Sequence, residues 1–278
     1  KKEDIDTYNK EAEKLFWNIT KINPQLGKPW YQIGILNFNK NKINEAEKFL
    51  YKSLEFDDSK GISAYKLGII NIINKKCDTA QNFFNISLKH NTKKSNSLFE
   101  IANFQFNENK YEEANLHLEK ALKEIIKEEK GYYSKSEKFL ELSNFDSARK
   151  YLKKGINAKN FHSKILVKLY QTKRLLSLKQ NGNKLLKKAI ELNSENSEPY
   201  LELGMLFIEE KNWEEAQTNL VLACNNDWSN SESHYNLAKV LIKNKEINTA
   251  IMHLKIVLDL NKSHKMAGKL LKKYSSIN

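Results

Sequence analysis

Glycine, proline and cysteine are all scarce in this chain of 278 residues, which holds nine, three and two of them. Few glycines and prolines leave few places where the chain can turn sharply, so we predict mostly helices. The two cysteines, Cys77 and Cys224, lie far apart and form no CxxC pair, which excludes a disulfide framework and a cysteine metal site. We therefore predict two free thiols.

Long apolar runs are also missing. No run approaches the roughly 20 residues of a membrane span, and the opening stretch KKEDIDTYNKEAEKLF lacks the apolar core of a signal peptide, so we predict a soluble chain. Because it begins at Lys1 without a methionine, we expect a longer protein with an upstream signal, anchor or domain. Abundant Lys, Asn and Ile are typical of an A/T-rich genome. We favour a location at a bacterial cell envelope or surface, as the soluble part of a longer protein, with the cytoplasm as the alternative.

Catalytic and nucleotide-binding motifs are absent as well. No GxxxxGK[ST], GxGxxG, GxSxG or HExxH occurs, and the histidines are scattered without metal-ligand spacing. We therefore predict that the chain is not an enzyme and has no cofactor, metal or small-molecule substrate. The six histidines are His90, His117, His162, His234, His253 and His264.

What the sequence does contain is a repeat with a period of 34 residues. Small residues recur at Ala12, Ala46, Ala80, Ala114, Ala148, Gly182, Ala216 and Ala250. A second series reads Gly34, Gly68, Ala102, Ser136, Tyr170, Gly204 and Ala238. Large apolar residues recur at Leu50, Phe84, Leu118, Leu152, Leu186, Leu220 and Leu254. Such a fixed period indicates an array of identical structural units.

The pattern resembles the tetratricopeptide repeat, whose signature is W-x2-L-G-x2-Y followed by A-x3-F and P. Trp30, Gly34 and Ala46 carry it in one repeat, and the segments 200–204 (YLELG) and 213–216 (WEEA) carry it most clearly. The resemblance implies an all-α fold. It implies a right-handed α-solenoid of about seven to eight contiguous helix-turn-helix repeats with a C-terminal capping helix.

The repeat register predicts the boundaries of the units. A partial repeat, consisting of a second helix, occupies 1–26, and a capping helix occupies 265–278. The seven tandem repeats between them are 27–60, 61–94, 95–128, 129–162, 163–196, 197–230 and 231–264.

The small residues are interpreted as packing residues. Gly34 and Ala46 would let the two helices of a repeat approach closely, which offsets the roughly 0.5 to 1 kcal/mol that glycine costs inside a helix. The repeat at 163–196 inverts this pattern, with Tyr170 on its first helix and Gly182 on its second. We predict that Tyr170 fills the space that Gly182 leaves.

In the family, two positions on each first helix face a concave groove that binds partners. Most residues at the first of these positions are aromatic, which suits a peptide-binding surface, although packing against the neighbouring repeat would favour the same residues. The predicted groove residues are Tyr31, Ile35, Phe38, Tyr65, Ile69, Phe99, Asn103, Tyr133, Leu201, Met205 and Tyr235. Repeats that clamp chaperone C-termini carry Lys and Asn where Tyr31 and Ile35 stand here, so that activity is not predicted.

Positive charge is concentrated in the middle of the chain. Between Asp146 and Ile190 there are thirteen Lys and Arg against one acidic residue, which predicts a basic belt able to attract anionic partners. A solvated surface of a lysine-rich protein would give the same count. The belt candidates are Arg149, Lys150, Lys153, Lys154, Lys164, Lys168, Lys173 and Arg174, with Lys159, Lys179, Lys184, Lys187 and Lys188 beside them.

Three functional hypotheses follow. The first is a non-enzymatic scaffold that binds a protein or peptide in the concave groove. The second is a surface or envelope module that docks to an anionic glycan, lipid headgroup or nucleic acid through the basic belt, although no nucleic-acid-binding module accompanies the charge. The third is a regulatory repeat domain of a larger protein. The oligomeric state is left open.

Overall fold

Helices form almost all of the ordered secondary structure in the computed structural model, which describes residues 2–177 and 182–275. Fourteen α-helices and no strand occur within these ranges, so the all-α prediction is confirmed. Lys179 and the last three residues of the predicted capping segment lie outside the described residues.

The chain divides into two compact units, residues 1–124 and 125–278. The first unit begins with a long helix and continues as helix pairs, and it ends within α7. Its helices are α1 (Lys2–Ile22), α2 (Gly27–Asn39), α3 (Ile43–Leu54), α4 (Lys60–Ile73), α5 (Cys77–Lys89), α6 (Lys94–Asn107) and the part of α7 (Tyr111–Glu141) up to Glu124.

The second unit contains the rest of α7 and seven further helices. These are α8 (Phe145–Leu175), α9 (Gly182–Leu192), α10 (Glu198–Glu209), α11 (Trp213–Asn226), α12 (Ser231–Lys243), α13 (Ile247–Leu260) and α14 (Lys265–Ser275). Within each unit, successive helices pack on one another, and the buried residues between them form its core.

Glycine allows close helix packing at Gly34, as the repeat pattern predicted. A Cβ atom at this position would lie 2.8 Å from Leu50 Cγ and 3.3 Å from the Ala46 carbonyl oxygen on α3. Ala46 and Leu50 are fully buried. Gly204 has the same role, because a Cβ there would lie 2.5 Å from Leu220 Cγ.

Left-handed residues end the first helix of each pair, and this feature was not anticipated from the sequence. None of them is a glycine, although the left-handed conformation costs an L-residue about 1 to 2 kcal/mol. They recur at the 34-residue period as Asn41, Lys75, Asn109, Ser143, Ser177, Lys211 and Lys245. In most of these turns the next N–H bonds back into the helix, as Asn212 N–H does to the Phe207 oxygen at 2.9 Å, which is a Schellman-type end.

Replacing Lys211 with glycine is expected to stabilise the protein by about 0.5 to 1 kcal/mol. Its φ is +59°, so glycine removes the steric cost, while the greater freedom of glycine in the unfolded chain offsets part of the gain. Urea unfolding measures the change. The matched control is Glu210→Gly one residue earlier, where φ is −78° and glycine is expected to destabilise. A Lys211→Gly variant as unstable as Glu210→Gly would contradict this account.

Two of the predicted repeat boundaries fall inside helices. The boundary at 128/129 lies within α7 and the boundary at 162/163 lies within α8, each of which is 31 residues long. The chain around them reads EIIKEEK and NAKNFHS, with no glycine, proline or aspartate to end a helix. Other junctions carry such residues, as in the segment 55–59 (EFDDS), where Asp58 accepts the Gly27 N–H at 2.9 Å. The remaining boundaries stay a prediction.

Both cysteines are free, as predicted. Cys77 is exposed at the start of α5, whereas Cys224 is buried on α11, and burial raises the pKa of its thiol to about 12. Within the described residues, no helix combines the length and the apolarity that a membrane span requires.

Candidate functional site

The predicted groove residues of the first unit form one set on three successive first helices, α2, α4 and α6. We call this set the aromatic face. All of its members are half-buried, so each has both packed and accessible surface. The aromatic face comprises Tyr31, Ile35 and Phe38 on α2, Tyr65 and Ile69 on α4, and Phe99 and Asn103 on α6.

The tyrosines of the aromatic face also contribute to the core. Tyr31 packs against the cluster that contains Ala46 and Leu67, and the Tyr65 ring centroid lies 5.8 Å from that of Phe84. Burial raises the pKa of Tyr31 and of Tyr65 to about 12 in each case. The two interpretations of the aromatic series therefore coexist, since one part of each ring packs and another part reaches the surface.

Two half-buried ionisable side chains border the aromatic face. The Lys66 ammonium lies 4.7 Å from the Phe38 ring centroid, and burial, with Lys93 nearby, lowers the pKa of Lys66. Burial also raises the pKa of Glu100, whose carboxylate accepts a hydrogen bond from Asn103 Nδ2 at 3.4 Å. These groups offer a cation and an acceptor to a ligand in surroundings that strengthen electrostatic contacts. The repeat series did not predict Lys66 and Glu100, because each lies one residue after an aromatic position of the series.

A concavity of about 390 Å³ opens at one end of the aromatic face. Tyr31 lines it together with Lys28, Asp58 and Thr92, so its walls are mostly polar. Both carboxylate oxygens of Asp58 are already used, because they cap α2 by accepting the Gly27 N–H at 2.9 Å and the Lys28 N–H at 3.3 Å. The concavity therefore extends the aromatic face with polar groups.

The predicted groove residues of the second unit lie in different surroundings from the aromatic face of the first unit. Leu201 is only 7% exposed and lies in the core with Leu220, so its side chain offers almost no surface to a partner. The Tyr133 ring rests on α8, where a Cβ at Gly155 would lie 2.9 Å from its Cε1. Met205 is half-buried against the same core as Leu201. These side chains mainly serve packing.

Tyr235 is the other aromatic candidate of this unit, and like Tyr133 it is half-buried. The ring of His264 lies 4.7 Å from the Tyr235 ring, and the Lys239 ammonium lies 5.6 Å from its centroid. The aromatic series is therefore continuous in the first unit and interrupted in the second.

The basic belt divides into two parts along α8. In the C-terminal part, Arg174 pairs with Glu202 of α10 at 3.4 Å, and Gln171 donates a 2.7 Å hydrogen bond to the same carboxylate. Burial lowers the pKa of the half-buried Lys168, an effect that Glu198 and Glu202 oppose. Acidic residues of α10 thus neutralise part of the belt. The charge count from Asp146 to Ile190 did not include these glutamates, because both lie after Ile190 in the sequence. The half-buried Lys173 also lies in this part.

The N-terminal part of α8 presents its charges to solvent. Arg149, Lys150, Lys153 and Lys154 are exposed, as is Lys164 further along the helix. The Lys154 ammonium lies 5.1 Å from the Tyr151 ring centroid. This part of the belt is therefore the part that is open to an anionic partner.

Comparison with known proteins identifies one repeat directly. Residues 27–60, which contain α2 and α3, match the family model described as the tetratricopeptide repeat. No curated protein matches the sequence.

Solved structures share the fold over nearly the whole chain. A chain of the APC/C hetero-tetramer Cut9-Hcn1 aligns with a TM-score of 0.61 at 17% identity, covering 96% of this chain and 46% of that one, so this chain spans less than half of its length. The Pseudomonas aeruginosa protein pilF aligns with a TM-score of 0.66 at 14% identity, covering 97% and 99%. The C-terminal part of a TPR repeat-containing protein from Cytophaga hutchinsonii aligns with a TM-score of 0.54 at 12% identity, covering 96% and 95%. At these identities the likeness shows the fold alone.

Proposed function

Because the chain is built from tetratricopeptide repeats, we propose that it is a non-enzymatic scaffold that binds a protein partner on the aromatic face of its first unit. Proteins with this repeat are generally non-catalytic and bind other proteins or peptides. In the tetratricopeptide family, the positions that form the aromatic face line the concave groove, which supports this proposal. The partner is another protein or another domain of a longer chain.

The observation that supports this proposal is the alignment of Tyr31, Tyr65 and Phe99 on three successive helices, each with accessible surface left. Aromatic side chains supply a large contact area and lose little conformational entropy when they bind. Because the three rings come from different helices, the partner that fits is an extended peptide that crosses them. Lys66 and Glu100 then select polar groups along that peptide.

Tyr65→Ala combined with Phe99→Ala is expected to weaken partner binding by about 2 kcal/mol or more, the size of an interface hot spot. The experiment recovers bound proteins from a lysate of the source organism with immobilised wild-type chain and with the variant, and quantifies them by mass spectrometry. Salt is expected to have little effect, because the contacts are mainly apolar.

The control replaces two exposed tyrosines outside the aromatic face, Tyr8 at 71% exposure and Tyr51 at 43%, with alanine. It is expected to recover the same proteins as the wild type. Circular dichroism verifies that all three chains are equally helical at the binding temperature. The proposal fails if the recovered proteins are unchanged by the Tyr65 and Phe99 substitutions, or if moderate salt alone releases them.

A further inference from the structure

One helix face in the second unit lacks the cover that its counterparts have. In several helix pairs, the helix that follows packs on the second helix of the pair, as α4 does on α3 and α12 does on α11. Leu220 of α11 is fully buried in this way, in a cluster with Leu237 and Leu241 of α12. In these pairs the following helix therefore shields the large apolar residue of the repeat.

α8 continues through its predicted repeat boundary, so no separate helix begins there. α7 also continues through its boundary, but Leu118 on α7 is fully buried, so the open face is particular to α8. Leu152 occupies the same repeat position as Leu220, yet it is 39% exposed. The other six residues of this series are fully buried. Ile156 and Phe145 are exposed as well, at 53% and 68%. Their spacing of seven and four residues places Phe145, Leu152 and Ile156 on one stripe of the helix.

One flank of the stripe is already occupied by α7. Ser136 donates a hydrogen bond to the Ala148 oxygen at 3.1 Å, and the Phe139 and Tyr151 rings stack with centroids 5.4 Å apart. The apolar stripe is thus not the surface that holds the α7–α8 pair together. Its exposure leaves it available to another molecule.

The charges beside the stripe indicate the chemistry of that molecule. Arg149 and Lys153 are exposed next to Leu152, and Lys150 and Lys154 follow on the adjoining side. Asp146 is the single acidic residue between Phe145 and Ile156. An occupant with acidic side chains flanking an apolar ridge complements both features.

We propose that the stripe of Phe145, Leu152 and Ile156 docks an acidic amphipathic helix of a partner protein, which takes the place of the missing following helix. A helix is the occupant that fits, because helices of this chain cover the same repeat position at α3 and α11. This surface is separate from the aromatic face and does not depend on it. The chain would then hold two partners, or two segments of one partner, by different chemistry.

The test uses displayed random peptides of the length of α4 as the probe, selected on the wild-type chain and then on a Leu152→Glu/Ile156→Glu variant. Peptides retained by the wild type and lost by the variant are synthesised, and their affinities are measured by fluorescence anisotropy. We expect apolar residues at helical spacing with flanking Asp or Glu, a binding loss of at least about tenfold in the variant, and weaker binding after Arg149→Glu/Lys153→Glu.

The matched control adds the same two negative charges at exposed apolar positions elsewhere, as Leu116→Glu/Met252→Glu, where exposures are 55% and 62%. It is expected to bind like the wild type. Thermal unfolding of each variant separates lost binding from lost folding, and the exposure of Leu152 and Ile156 makes their variant expected to stay folded.

Several outcomes would overturn the proposal. Selected peptides that bind the variant as well as the wild type, or that lack a helical apolar pattern, would do so. Vesicles rich in phosphatidylserine that bind the wild type but not the variant would identify a membrane surface instead. A concentration-dependent dimer in analytical ultracentrifugation that the same substitutions abolish would identify a second copy of the chain.

Discussion

Leu220→Ala is expected to lower the free energy of unfolding by about 2 to 5 kcal/mol, whereas Leu152→Ala is expected to cost about 1 kcal/mol or less. The two leucines occupy the same place in the repeat. Leu220 is fully buried against α12, so its removal leaves a cavity, while Leu152 is 39% exposed and its removal leaves mostly water-filled surface. Urea unfolding followed by circular dichroism measures both variants.

Equal costs for the two substitutions would contradict the open stripe on α8. A large loss at Leu152 would mean that a helix covers it, as in the other repeats. Leu186→Ala provides a second fully buried reference in the same unit and is expected to behave like Leu220→Ala.

Gly182→Ala is expected to destabilise the protein by about 1 to 3 kcal/mol, although alanine is the usual residue at this repeat position. A Cβ at Gly182 would lie 2.8 Å from Cε2 and 3.1 Å from Cδ2 of Tyr170. Tyr170 is 4% exposed, so its rigid ring has little room to move. The contact supports the prediction that Tyr170 fills the space that Gly182 leaves.

A double-mutant cycle tests this pairing. If Tyr170 and the added methyl group compete for the same space, Gly182→Ala is expected to cost much less in a Tyr170→Ala background than in the wild type. Gly131→Ala serves as control, because no atom lies within 4 Å of a Cβ at that helical position, and alanine there is expected to stabilise. A neutral Gly182→Ala in the wild-type background would rule out the pairing.

The repeat period predicted the packing between the helices of a pair, because that packing depends on residue size at fixed positions. Gly34 and Leu50 illustrate this, since the small residue on α2 and the large residue on α3 are in contact. The aromatic face was predicted for the same reason, as Tyr31, Tyr65 and Phe99 share one register on helices of one kind.

The period could not predict where the chain departs from it. Leu152 continues the apolar series in the sequence, yet it is 39% exposed, because its burial depends on whether another helix packs over it and not on the series itself. The charge of the belt was overestimated in a similar way, since Arg174 meets Glu202 only once α8 and α10 are packed together. Both departures arise from contacts between repeats.

The contrast between the two cysteines makes the protein suitable for site-specific chemistry without mutation. A maleimide reagent applied to the folded chain modifies the exposed Cys77 and leaves the buried Cys224 protected, which places a single probe on α5 of the first unit. Once Cys77 is blocked, Cys224 reacts only when α11 is exposed by opening of its surroundings, because thiols react as thiolates and need access. The rate of that second modification reports the local stability of the second unit near α11.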